Sequence, residues 1–173
     1  MPSWSSSATM SAASVRFSRG IGLGDRLPDL LGVAVKVLDV GELRREQDLL
    51  LTSAGAAPVA RHVFRPTRRF SSGMFSSVLP FDVGGRTRVL GAVVESEPRA
   101  GARLVLRVAD PEGDWRDVAE VVLGAPLDTA QDGRLRFNVT EIAAGIRPVG
   151  LINRLRGPAY AASQALEPAP GGD

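Results

Sequence analysis

The chain has 173 residues, of which 44% are apolar and 23% charged, enough to build one domain around a hydrophobic core. Its net charge is only +2, and nearly every base is arginine, Lys36 being the only lysine, so the high pI is a weak sign of basicity. There is no cysteine and one histidine, His62. That excludes disulfides, thiolate nucleophiles, iron–sulfur clusters and metal sites built from thiolates or several imidazoles.

Residues 1–13, MPSWSSSATMSAA, lack the basic start and continuous apolar stretch of a secretory signal. They read as a loose tail, or as a start codon placed inside a longer gene. No apolar run is long enough to span a bilayer, and the two absences together point to the cytoplasm. The arginines are interleaved with acids and aromatics make up only 5%, against the basic stripe with stacking rings that nucleic-acid binding calls for.

From Ser14 onward the chain alternates or runs apolar in short stretches bounded by Gly, Pro and Asp, the pattern of strands. The spacing predicts strands at Ser14–Ser18, Gly32–Leu38, Asp48–Ser53, Val78–Val83, Thr87–Val94, Leu104–Ala109 and Val118–Leu123. Gly84-Gly85 suits a tight hairpin, because both residues accept positive φ. Asp110-Pro111-Glu112-Gly113-Asp114 is a second turn. Gly145–Leu166 carries apolar residues at helical spacings interrupted by Gly157 and Pro158, which predicts two short helices. Residues 167–173 read as a disordered tail. The fold class is therefore α+β and mainly β, one domain over 14–166 with an antiparallel sheet that closes or sandwiches.

The segments SVRFSRGIG, PDLLGVAVKVLD and QDLLLTS, in that order, resemble VRFSTVAG, RDPRGFAVKFY and WDLVGNN of the haem catalases. The C-terminal stretch VAEVVLG, GRLRFNVTEIAAGIRP and RLRGPAY is similar to a second catalase segment, and Arg156 and Tyr160 fall on that family's R-x-x-x-Y. The resemblance covers about 14–57 and 118–161. It implies an antiparallel catalase-like β-barrel with short C-terminal helices, and haem as cofactor.

By this resemblance Tyr160 is the proximal iron ligand. A phenolate is required, and an arginine one helical turn earlier stabilises the anion by charge and hydrogen bonding; Arg156 and Tyr160 form such an i,i+4 pair. The alternative is that Tyr160 anchors a helix to the sheet with Arg156 covering it. Arg16 corresponds to an arginine on a haem propionate, a role that suits a guanidinium, or is an outward-facing strand residue. Where the family has a second propionate arginine, Glu167 stands.

The distal side departs further. The family's distal histidine lies on an arm ahead of VRFS, and nothing before Arg16 replaces it. The distal asparagine position holds Ser53, or Thr52 if the alignment slips by one. His62 is a weak catalytic candidate that also reads as a plain surface histidine. The substrate class implied is a peroxide or lipid hydroperoxide. The second reading, from a different class, is a barrel that has lost haem and binds a hydrophobic ligand or a protein partner.

Other chemistries find less support. RGIGLGDRLPD lacks the full dinucleotide-loop pattern and its β-α-β setting. Asp82, Asp110 or Glu112 offer acids for a phosphodiesterase or other hydrolase, but such two-metal sites generally need several histidines. A serine triad lacks both a histidine partner and a G-x-S-x-G elbow.

Overall fold

A computed structural model describes residues 11–20, 27–40, 45–137 and 146–148. Nine strands and one helix follow in chain order: β1 (Ala13–Arg19), β2 (Leu31–Val40), β3 (Arg45–Ala54), β4 (Met74–Ser76), β5 (Phe81–Val83), β6 (Arg86–Val94), β7 (Arg103–Ala109), β8 (Arg116–Val122), α1 (Thr129–Arg134) and β9 (Ile146–Pro148). The protein is mainly β, as the alternation predicts.

All pairings are antiparallel. The main path runs β1-β2-β3-β4-β6-β7-β8, and β5 carries β9 on its far side. β4 and β5 share one edge of β6: β4 takes Gly91–Val93 and β5 takes Arg86–Arg88. The sheet coils into a half-barrel whose outer strands, β1 and β8, pair among the described residues only with β2 and β7.

Side chains on one face make the core. Val33 stands opposite Leu51 and Val35 opposite Leu49, with Phe17 opposite Val33 on the other side. Leu31, Val33, Val35, Phe75, Ala92, Val94 and Leu104 are essentially inaccessible to solvent. Phe70 joins Phe17 edge-on at 5.1 Å to Phe75 stacked at 6.0 Å, both favoured ring geometries. Because side chains alternate along a strand, Arg16, Ala34 and Leu50 occupy the opposite face.

The turns follow their chemistry. Gly84 and Gly85 adopt φ of 60° and 79° between β5 and β6, and Asp82 Oδ1 accepts from the Gly85 amide at 2.8 Å. In the β7–β8 turn the Gly113 amide donates to the Asp110 carbonyl at 3.0 Å.

Two expectations change. The strand predicted over Val78–Val83 begins only at Phe81, because Val78 has φ of 62°, a left-handed conformation that no strand contains. Residues 146–148, placed in the predicted C-terminal helices, form strand β9 on the free edge of β5. Pro148 lacks an amide hydrogen, which suits an edge strand better than a helix interior. The other residues of those predicted helices lie outside the described ones. Sequence reading also leaves α1 unnoticed. Its signal is a capping box: Asp128 Oδ1 accepts from the Gln131 amide at 2.7 Å, and Gln131 Oε1 accepts from the Asp128 amide.

The long connection from β3 to β4 is pinned by Arg61, which sits in a single 3-10 turn at Ala60–His62. Arg61 is 1% exposed. Its guanidinium donates to the carbonyls of Asp110 (3.0 Å) and Gly113 (2.8 Å) and lies over the ring of Trp115. Trp115 Nε1 in turn donates to the Ala56 carbonyl at 2.8 Å. Burial pushes the Arg61 pKa down, and Asp114 partly opposes it.

Candidate functional site

The two open edges of the half-barrel face a common cleft of about 490 Å³, within the range of small-molecule sites. Val15 and Phe17 line it from β1, Val121 and Val122 from β8, and Leu123 and Leu127 from the segment after β8. Val122 and Leu127 are 59% and 46% exposed, so the cleft has an apolar lip that water reaches.

Two arginines border this apolar wall. Arg99, in the β6–β7 turn, is exposed and forms no ion pair among the described residues. Arg16 is held: its Nη2 lies 2.9 Å from Asp132 Oδ1 and donates to the carbonyls of Asp132 (2.9 Å) and Leu135 (3.3 Å). The guanidinium also stands 5.4 Å from the centre of the Phe137 ring. The carboxylate that Arg16 pairs with therefore comes from α1 of the same chain. Asp132 and Arg99 were missed in sequence reading, because neither occupies a recognisable motif and only the coiling of the sheet brings them to β1.

Behind this site, on the face of Arg16, is a buried charged cluster. Lys36 Nζ lies 2.8 Å from Glu46 Oε2 and 2.9 Å from Asp48 Oδ1, and 5.8 Å from the centre of the Phe137 ring. Burial lowers the Lys36 pKa, but the hydrogen bonds and charges of Glu46 and Asp48 outweigh it and raise the net value. Lys36 is thus a held cation rather than a nucleophilic amine.

Ser53 and His62 stand elsewhere. Ser53 is buried on the core face of β3, where its Oγ accepts from the Leu31 amide at 3.1 Å. In the continuous β1–β2–β3 register it faces away from Arg16, whereas Thr52, its neighbour, shares the face of Arg16. The structure does not bring Arg16 and Ser53 to one ligand. His62 is exposed, and its Nδ1 donates to the carbonyl of Val78 at 2.5 Å. It does not line the cleft. Tyr160, Arg156 and Glu167 lie outside the described residues. The acids weighed for hydrolysis are engaged or scattered: Asp82 caps the β5–β6 hairpin and Asp110 pairs with Arg88.

Haem, the cofactor that the resemblance implies, requires an apolar wall and a cation for a propionate. The cleft offers an apolar wall and, in Arg16, a guanidinium suited to a propionate, so the described residues fit the rim of such a group. Among them no group of three or more His, Cys, Asp or Glu side chains could hold a metal. Compared with family models and with curated proteins, the chain matches none.

Proposed function

We propose that the chain is a binding protein whose cleft between β1 and β8 takes an apolar molecule carrying an acidic group. The observation that carries this reading is the cleft itself, about 490 Å³ of largely apolar wall with Arg99 unpaired at its border. Its body would lie against Val15, Phe17, Val121 and Leu127, and its acid would meet Arg99 or exchange with Asp132 on Arg16. Among the described residues Asp132 is the acid that lines the cleft, and it is engaged by Arg16.

The experiment is a titration with a dansylated long-chain fatty acid followed by fluorescence. Saturable enhancement that Val121→Glu abolishes and Arg99→Gln weakens is expected. Enhancement unchanged by Val121→Glu overturns the assignment.

A second reading makes haem the occupant, with Tyr160 as proximal ligand, Arg156 stabilising its phenolate and Arg16 on a propionate. The position of Arg16 in the cleft wall favours it. Bound there, haem would supply redox chemistry on peroxides or lipid hydroperoxides. Haemin titration followed by absorbance discriminates: a spectrum of tyrosinate-ligated ferric haem, lost in Tyr160→Phe, is required. A phosphodiesterase or other hydrolase gains no support, since the described acids do not gather into a metal site.

A further inference from the structure

Among the described residues, three of the most exposed large apolar side chains fall within six positions of one another: Val59 (82%), Val63 (59%) and Phe64 (47%). They belong to the connection between β3 and β4, away from the cleft. Between Asp48 and Asp82 the chain carries Arg61, Arg65, Arg68, Arg69 and His62 and no acid at all. Arg65, Arg68 and Arg69 are exposed. Two acids approach this segment: buried Asp29, whose backbone pairs with that of Thr67, and Glu97, whose carboxylate accepts from the amides of Phe70 and Ser71 and from Ser71 Oγ. Arg65 and Arg68 form no ion pair among the described residues.

The exposure of Val59 and Val63 is not slackness of the loop. Arg61, between them, is driven inward onto Trp115 and the β7–β8 turn. Gly55 at the base of the loop packs so closely on Ala60 that a Cβ there would collide with it. The Arg65 amide donates to the Ser53 carbonyl at 2.9 Å, and Ala54 and Phe64 form a β-bridge. This rigidly held loop turns apolar side chains to water next in sequence to Arg65 and Arg68, for which no ion pair exists among the described residues. Isolated exposed apolar residues are ordinary, but a rigid cluster with a basic border marks an interaction surface.

A small hollow of about 190 Å³ adjoins the loop, lined by Ser53, Arg65, Thr67 and Ser72. Ser53 is 2% exposed; its Oγ accepts from the Leu31 amide, leaving its hydrogen to donate. Thr67 Oγ1 and Ser72 Oγ are 2.6 Å apart. Ser72 Oγ donates to the Arg69 carbonyl at 2.8 Å, so these two hydroxyls are engaged within the loop and help to hold it rigid.

We propose that residues 59–69 dock the protein on an anionic phospholipid membrane. Val59, Val63 and Phe64 enter the boundary between headgroups and acyl chains, and Arg65, Arg68 and Arg69 lie at the phosphates. This is the division of labour of an interfacial anchor, apolar burial plus attraction to anionic lipid. Valines and one phenylalanine, without further rings to stack on, favour lipid over single-stranded nucleic acid.

The test is co-sedimentation of the full chain with vesicles of phosphatidylcholine alone or mixed with phosphatidylglycerol. The protein should bind the mixed vesicles and not the neutral ones. Arg65→Gln with Arg68→Gln should weaken binding roughly thirtyfold, from roughly fivefold per basic residue. Val63→Ser with Phe64→Ser should abolish it, and Val118→Ser on β8 should leave it unchanged. Absence of binding to mixed vesicles overturns the proposal. So does binding that survives Val63→Ser with Phe64→Ser, an equal loss in Val118→Ser, or a single-stranded oligonucleotide that outcompetes the vesicles for this loop.

Discussion

The guanidinium of Arg61 lies 4.5 Å from the centre of the Trp115 ring, tying the β3–β4 connection to the β7–β8 turn across more than fifty positions of sequence. A buried arginine ordinarily meets a carboxylate; here two carbonyls and an indole face take that part. Arg61→Ala and Trp115→Ala should each destabilise the fold, and a double-mutant cycle in denaturant should give a coupling of about 1–2 kcal/mol. Additive effects would mean that the stacking contributes nothing.

Lys36 and Asp48 form a buried pair, and replacing Lys36 takes that cation away from a buried carboxylate. Lys36→Met should cost about 3 kcal/mol or more, whereas Lys36→Met with Asp48→Leu should recover much of it. Urea unfolding of the three proteins provides the measurement. A double variant no better than the single one would contradict the pairing.

The pH dependence of stability has a distinct cause at each end. Glu97 is opposed by burial, but the hydrogen bonds from Ser71 and Phe70 prevail and lower its pKa. Its contribution is therefore complete above the usual glutamate value and fades as pH falls through the lowered one. Lys36 has a raised pKa, so its contribution is complete below the ordinary lysine value and fades as pH rises through the raised one. Glu97→Gln should flatten the acid limb of a stability–pH profile while leaving the alkaline limb intact.

Most strands were legible because one face of each meets a single core: SVRFS, GVAVKVL and DLLLTS alternate or run apolar in the way a half-buried strand must. β4 was not, because three residues, Met74–Ser76, are all buried and show no alternation. Val78 was read as strand for its β-branched side chain, a local preference that tertiary context overrides. Of the candidate site, Arg16 was found through the resemblance. Its partner Asp132 could not be, since that contact spans 116 positions and depends on the coiling of the whole sheet.

Val78 holds a left-handed conformation that a β-branched residue seldom adopts. Its amide donates to Ser76 Oγ at 3.0 Å and its carbonyl accepts from His62, so local contacts keep it there. Val78→Gly should relieve the strain and be neutral or stabilising by up to about 1 kcal/mol, while His62→Ala should be destabilising. Thermal unfolding distinguishes these signs. A large loss of stability in Val78→Gly would show that side-chain packing outweighs backbone strain.

Among the described residues β1 and β8 pair only with β2 and β7, and no backbone ladder within them ties the first strand of the half-barrel to the last. Anything lodged between Val15 and Val121 would act as a clasp, joining along their length segments about a hundred positions apart that the Arg16–Asp132 pair links at one point. Filling the cleft would make the outer strands open together with the centre instead of fraying independently. Amide exchange in β1 and β8 should then slow in step, converting an occupancy at the rim into a change in the cooperativity of the whole sheet.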